Sequence, residues 1–198
     1  MGVTIDEIKK LKELTGVGLT DAKVALVEAE GDFDKALEAM RKKGLTKAEK
    51  RGEREARAGV IESYVHSGRI GVLIELNCET DFVAKTDDFK ELAHDIAMQV
   101  AAMNPKFISE ADIPEEEKTR KEAELIEAAK TSGKSEEIAK KAVAGQMNKY
   151  FAELTLVQQA YWKDDSQTIE DLIKNKIAKL GENIVIRQMN RIELGVSE

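Results

Sequence analysis

The 198 residues hold 31 Lys and Arg against 38 Asp and Glu, and the net charge of −7 argues against nonspecific nucleic-acid binding as the main task, because phosphate contacts need clustered cations. A single cysteine, Cys78, excludes an internal disulfide and any cysteine-rich metal site, and points to a reducing compartment. No apolar run nears the ~18 residues of a membrane span, and the first residues carry no basic, apolar leader, so the expectation is a cytoplasmic chain of one or two small domains that meets no membrane.

Residues 4–43 read as three short helices, a very small domain that needs a tight core to stand alone. Thr4 caps the first, with Ile5, Ile8, Leu11 and Leu14 at helical spacing. Thr15-Gly16-Val17-Gly18-Leu19 breaks it. Thr20 or Asp21 opens the second, with Ala22, Ala25, Leu26 and Ala29 inward. Gly31-Asp32 ends that helix and caps the third, which carries Phe33, Ala36, Leu37 and Met40 and stops at Gly44, where a C-terminal glycine belongs. Residues 45–58 read as a solvated, partly helical basic linker. Residues 41–57 hold eight Lys and Arg against three Glu, whereas residues 59–113 hold four against ten Asp and Glu.

Residues 59–78 form a predicted β-hairpin, Val60–Val65 and Gly71–Cys78 around a loop containing Gly68. In the second strand Val72, Ile74 and Leu76 alternate with Leu73, Glu75 and Asn77. The alternation breaks at Glu79-Thr80-Asp81-Phe82, and helical spacing starts at Thr86-Asp87-Asp88-Phe89. Phe82 therefore sits at a strand–turn–helix corner. It either plugs the junction, as composition favours, or is pointed outward at a partner by a rigid scaffold.

Residues 87–103 make an amphipathic helix with Phe89, Leu92, Ile96, Val100 and Met103 on one side, stopped by Asn104-Pro105. Pro114 and three following Glu open another, ending near Ser132-Gly133. Ser135 starts the next, through Ile138, Ala142, Val143, Met147 and Phe151. Residues 154–162 are extended or irregular, Thr168 caps a helix to Leu180 with Gly181 as its stop, and Ile184–Leu194 is a final strand. The hairpin and this strand give an α+β fold with a three-stranded antiparallel sheet and helices packed on one face.

No catalytic constellation emerges from the residues. His66 and His94 have no partner at metal-ligand spacing. The acids Glu79 and Asp81 beside Cys78 raise a thiol pKa and disfavour a catalytic thiolate. Gly16-Val17-Gly18 lacks the Gly-Lys-Ser/Thr ending of a phosphate loop and follows a helix. Asp81, Asp87 and Asp88 fit no calcium loop, and helix capping accounts for Asp87 and Asp88. These readings describe an interaction protein and not an enzyme.

The stretch Leu11-Lys-Glu-Leu-Thr-Gly-Val-Gly-Leu-Thr-Asp-Ala-Lys-Val-Ala-Leu26, continued by Gly31-Asp-Phe-Asp-Lys-Ala-Leu-Glu-Ala-Met-Arg-Lys-Lys-Gly44, closely resembles the N-terminal signature of bacterial translation elongation factor Ts. Gly68-Arg-Ile-Gly-Val-Leu-Ile-Glu-Leu-Asn-Cys-Glu-Thr-Asp-Phe-Val-Ala84 resembles the family's most specific motif nearly letter for letter, and Gly181-Glu-Asn-Ile-Val-Ile-Arg187 its last strand. The length resembles the short form of the family. Val24 stands where a second Lys is common and Ala22 where Cys often sits. Gln159-Ala160-Tyr161-Trp162-Lys163-Asp164 lacks the proline of a similar Gln-Pro-Phe segment.

The resemblance implies a guanine nucleotide exchange factor for the GTPase elongation factor Tu, with GDP, GTP and Mg²⁺ bound by the partner and no cofactor of its own. It implies that residues 1–44 are a ubiquitin-associated-like three-helix domain docking on Tu through Gly16, Val17, Gly18, Leu19 and Lys23. It further implies that Thr80, Asp81, Phe82 and Val83 disturb the partner's Mg²⁺ site, with Phe82 as a wedge. Residues 59–198 become a core and dimerisation domain with a helical segment at 114–180, pairing through its sheet as a homodimer, the other reading being a monomer whose residues 114–180 cover that face. The alternative is a ubiquitin-associated-type helical adaptor without exchange activity.

Overall fold

The computed structural model describes residues 3–15, 17–131 and 136–196. The chain divides into two compact units, Met1–Met98 with Asp171–Glu198, and Gln99–Glu170.

The first unit opens with α1 (Ile5–Thr15), α2 (Leu19–Glu28) and α3 (Phe33–Arg51). Thr4 starts α1 through a reciprocal cap. Its hydroxyl accepts the Glu7 amide proton at 3.2 Å, and the Glu7 carboxylate accepts the Thr4 amide proton at 2.9 Å. Asp32 caps α3 by accepting from the Lys35 amide at 3.1 Å. Leu11, Ala22, Ala25, Leu26, Ala36 and Met40 form the core, with Ile8, Val17, Ala29, Phe33 and Leu37 half-buried around it. Ile5 and Leu14 share the helical period of Leu11, yet both lie in solvent, outside the part of the apolar stripe of α1 that α2 and α3 cover.

The third helix does not stop at Gly44. A Cβ there would lie 3.1 Å from the Ala178 Cβ, so the glycine lets α3 approach a later helix closely and is a packing residue instead of a terminator. Nor are residues 51–56 free chain. The Arg51 guanidinium donates to the Ile177 carbonyl at 3.1 Å, the Asn183 side-chain amide to the Gly52 and Arg54 carbonyls, and Arg187 to the Ala56 carbonyl at 3.0 Å.

Strands β1 (Ala58–His66), β2 (Ile70–Cys78) and β5 (Val185–Glu193) form an antiparallel sheet in the order β1-β2-β5. Ser67 and Gly68 both take positive φ, 50° and 67°, which suits a tight hairpin turn between right-twisted strands. Arg187 is the extra residue of a bulge opposite Glu75 and Leu76, and the kink aims its guanidinium at the Ala56 carbonyl and Asn77. Val72, Ile74 and Leu76 are buried on one face. Their β1 partners Tyr64 and Glu62 meet His94 of α5 (Asp87–Met103), so α5 covers that face. The other face leaves Ile61, Val65, Leu73 and Ile192 in solvent. Helix α5 keeps the predicted bounds, its Phe89, Leu92, Ile96 and Val100 are buried, and Asn104 ends it at φ 46°. Met103, expected on the inward side, is exposed.

In the second unit, α6 (Glu115–Thr131) and α7 (Glu136–Leu154) run antiparallel, tied where the Tyr150 hydroxyl donates to Glu117 at 2.8 Å. The expected boundary at Ser132, Gly133 and Ser135 lies outside the described residues. The stretch 154–162, expected to be extended or irregular, ends in a short strand, β3 (Ala160–Tyr161), which pairs with β4 (Asp164–Thr168) just beyond it. Fully buried Gln99 fixes it, donating to Gln159 and the Ala160 carbonyl and accepting from the Trp162 amide at 3.0 Å. Helix α8 (Ile169–Leu180), part of the first unit from Asp171 onward, ends at Gly181, whose φ of 83° turns the chain back toward β5. The fold is α+β, as the sequence pattern predicts.

Candidate functional site

The alternation of β2 delivers Cys78 to the interior at the strand's end, where its thiol donates to the Thr80 carbonyl at 3.2 Å. Burial, and then the Glu182 charge, push that thiol's pKa up, so it is a packing residue and a poor nucleophile. Thr80 then caps α4 (Asp81–Ala84), its hydroxyl accepting the Val83 amide proton at 3.5 Å. Thr86 caps α5 from the other side, accepting from the Phe89 amide at 3.3 Å and donating to the Val83 carbonyl at 2.7 Å. That cap belongs to Thr86, whereas capping by Asp87 and Asp88 was the expectation. Asp88 instead accepts from Lys179 at 2.7 Å and Lys176 at 2.9 Å, and these bonds hold its carboxyl below the usual carboxylate range.

One turn of helix sorts four side chains. Ala84 is buried, Val83 half-buried, and Asp81 and Phe82 face solvent. Phe82 is 86% exposed, so it does not plug the junction as composition favours. An aromatic ring of that size in water, on a corner capped at both ends, is a presented side chain.

Two carboxylates from opposite sides lock the corner. Glu182, just past the α8 stop, accepts the amide protons of Glu79 at 3.1 Å and Thr80 at 3.0 Å, and the Thr80 hydroxyl proton at 2.6 Å. Glu79 reaches back to accept the Asn183 amide proton at 2.7 Å and pairs with Arg54 at 3.6 Å. Sequence reasoning missed Glu79 and Glu182 as functional candidates because each finds its partner about a hundred positions away. The available signal was an acid directly after a helix-stopping glycine and before a strand.

The second predicted group lies on the three-helix segment. Gly16 falls outside the described residues. Val17 is half-buried against the small core, Gly18 is the N-cap of α2, and Leu19 and Lys23 lie one turn apart in solvent on α2. Val24 and Val27 are also exposed there, so the outward side of α2 is unusually apolar around Lys23.

Among the described residues no cluster of three or more His, Cys, Asp or Glu side chains is placed to hold a metal ion. The two histidines flank Tyr64: its hydroxyl lies 3.0 Å from His66 Nδ1, and its ring meets His94 edge-on at 5.7 Å. His94 Nδ1 lies 2.9 Å from Glu62. No helix among the described residues is long and apolar enough to cross a membrane.

The family described as Elongation factor TS matches residues 46–195. Relatives called elongation factor Ts extend the similarity through the N-terminal helices. The protein of Thermotoga neapolitana is 50% identical over 98% of this chain and 98% of its own length. That of Moorella thermoacetica is 50% identical over 96% and 94%. That of Syntrophomonas wolfei is 48% identical over 98% and 91%. With a capped, clamped corner in the most specific stretch and similarity of this extent on both sides of it, the chain belongs to the elongation factor Ts family of translation elongation factors.

Proposed function

We propose that this protein is the guanine nucleotide exchange factor for elongation factor Tu. It binds Tu carrying GDP, displaces Mg²⁺ from Tu and promotes GDP release so that GTP enters. The observation that carries this reading is Phe82, 86% exposed on a corner held at both ends. Tight GDP binding depends on Mg²⁺ and on backbone donors around the phosphates, all of which belong to the partner. A factor that binds nucleotide-free Tu better than Tu–GDP weakens GDP binding by the same coupling factor. Burying the Phe82 ring between partner helices supplies ~1.5–3 kcal/mol toward that difference. Asp81, beside it and exposed, faces groups at a helix end of Tu, and exposed Thr80 and half-buried Val83 join them in disturbing the Mg²⁺ site of the partner. Nothing covalent changes, so the activity is not that of an enzyme.

In this reading the three N-terminal helices are the ubiquitin-associated-like docking module. Val17, Gly18, Leu19 and Lys23, with Gly16, meet the GTPase domain of Tu in the cytoplasm. The open sheet face bearing Ile61, Val65, Leu73 and Ile192 pairs with a second copy, giving a two-plus-two complex. Sedimentation equilibrium checks the pairing: the native chain runs as a dimer and Leu73→Glu as a monomer, and a native monomer refutes it.

Release of fluorescent GDP from Tu tests the exchange reading. The native chain speeds release, and Phe82→Ala lowers the saturating rate by roughly ten- to a hundredfold at ~1.4 kcal/mol per decade. Equal acceleration by both chains refutes the wedge. No acceleration by either leaves an adaptor built on the N-terminal helices.

A further inference from the structure

We infer that Glu182 is a positioning residue for nucleotide exchange, the group that holds Phe82 in its presented state. The inference rests on the exchange reading above and adds to it a residue that acts through the Thr80 cap beneath Phe82. Thr80 decides the direction of α4, because it is the N-cap and its hydroxyl accepts from the Val83 amide. A hydroxyl has one proton, and here it is committed to Glu182 Oε1 at 2.6 Å, which leaves a lone pair aimed at Val83. The other Glu182 oxygen takes both amide protons on the approach to the cap, from Glu79 and Thr80. Backbone and side chain of the cap are thus fixed by one carboxylate. It belongs to the turn that Gly181 makes after α8, 102 positions from Thr80.

This arrangement is dispensable for the core. Thr80 is exposed, and the sheet beneath it is secured by its own ladder and by buried Val72, Ile74 and Leu76. Removing the carboxylate frees Thr80 to rotate and lets α4 fray. Phe82 must then be ordered at the moment of insertion. The loss falls on the step after docking. It appears in the saturating rate of GDP release and not in the concentration that gives half of it, which the N-terminal helices set.

The test compares the native chain, Glu182→Ala, Glu182→Gln, Phe82→Ala and the double variant Phe82→Ala/Glu182→Ala in fluorescent GDP release from Tu. Amide hydrogen exchange at residues 79, 80 and 83 is measured on each chain alone. Glu182→Ala is expected to lose protection at those amides while β2 keeps its own. Its saturating rate is expected to fall roughly tenfold, equivalent to ~1.4 kcal/mol, with half-saturation moved less than about twofold. Glu182→Gln, which keeps acceptor oxygen in place, loses less. The double variant is no slower than Phe82→Ala, because Glu182 acts only through that ring.

A saturating rate lowered by Phe82→Ala but untouched by Glu182→Ala overturns the role of Glu182 and leaves the wedge standing. Losses that multiply in the double variant also overturn it, as does a Glu182→Ala effect confined to half-saturation. A native rate unmoved by Phe82→Ala refutes the wedge, and with it any action of Glu182 through Phe82.

Discussion

Replacing Leu26 with alanine should unfold the three N-terminal helices while leaving the sheet intact. Leu26 is fully buried, and its companions in that core are Leu11, Met40 and three alanines, so three large side chains supply most of the apolar burial. About forty helical residues at ~0.05–0.15 kcal/mol each carry a stability of roughly 2–6 kcal/mol. A buried Leu→Ala change costs ~2–5 kcal/mol, most where the surroundings cannot collapse into the gap, and alanine neighbours have no spare side chain to fill it. The two quantities are of equal size, so the substitution consumes the whole reserve of this segment. Residue-resolved amide exchange is the assay. Amides of α1, α2 and the first half of α3 should exchange nearly as fast as in unfolded peptide, while those of β1 and β2 keep native protection. Equal losses in both sets would show that the helices share one cooperative unit with the sheet. Unchanged protection in the helices would show that the small core is not what holds them.

Gly59→Ala should be among the most damaging single-methyl additions in the chain: the added Cβ would fall on the Leu76 carbonyl oxygen, at a φ of 154°, and the thermal midpoint should drop sharply or soluble folded protein vanish. Phe89→Ala and Phe82→Ala remove the same ring with opposite consequences for stability. The first empties a fully buried site and costs ~3–5 kcal/mol, the second leaves an 86% exposed position and changes the unfolding free energy from denaturant curves by under about 0.5 kcal/mol. Asp88→Asn should destabilise at neutral pH. The native Asp88 has its pKa lowered in the folded state by Lys179 and Lys176, so its contribution is present above the unfolded carboxylate value of ~3.9 and is lost as pH falls through the lower folded value. Denaturation curves of the two chains should therefore converge below about pH 4. A gap that stays constant on acidification would remove the ion pairs as its cause.

Local pattern was a good guide wherever a residue's partner lies within a few positions. The period of Phe89, Leu92, Ile96 and Val100 gives α5 its bounds, and the alternation of Val72, Ile74 and Leu76 gives both the strand and its buried face. It failed where a distant element decides. Gly44 looks like a helix stop, but its role is set by Ala178, and Ile5 follows the helical period of Leu11 but has nothing above it to bury against. Phe82 is the instructive case. Hydrophobicity alone sends a phenylalanine inside, whereas a four-residue helix between two threonine caps leaves it outside. The resemblance of its surroundings to a known motif pointed to the outward orientation. It did not reveal Glu182, whose bond to Thr80 bridges a gap that no periodicity spans.

The antiparallel order β1-β2-β5 also governs when the protein becomes competent during its own synthesis. The three N-terminal helices hold only neighbouring residues together and can fold soon after they emerge. Strand β2 pairs on one side with β5, and the cap beside it waits for residue 182, so this region stays incomplete until about a hundred more residues have been made. At ~5–20 residues per second that delay is roughly 5–20 s. A growing chain therefore gains its first helices well before the Phe82 corner, and completion of the sheet acts as a built-in timer on presentation of that ring.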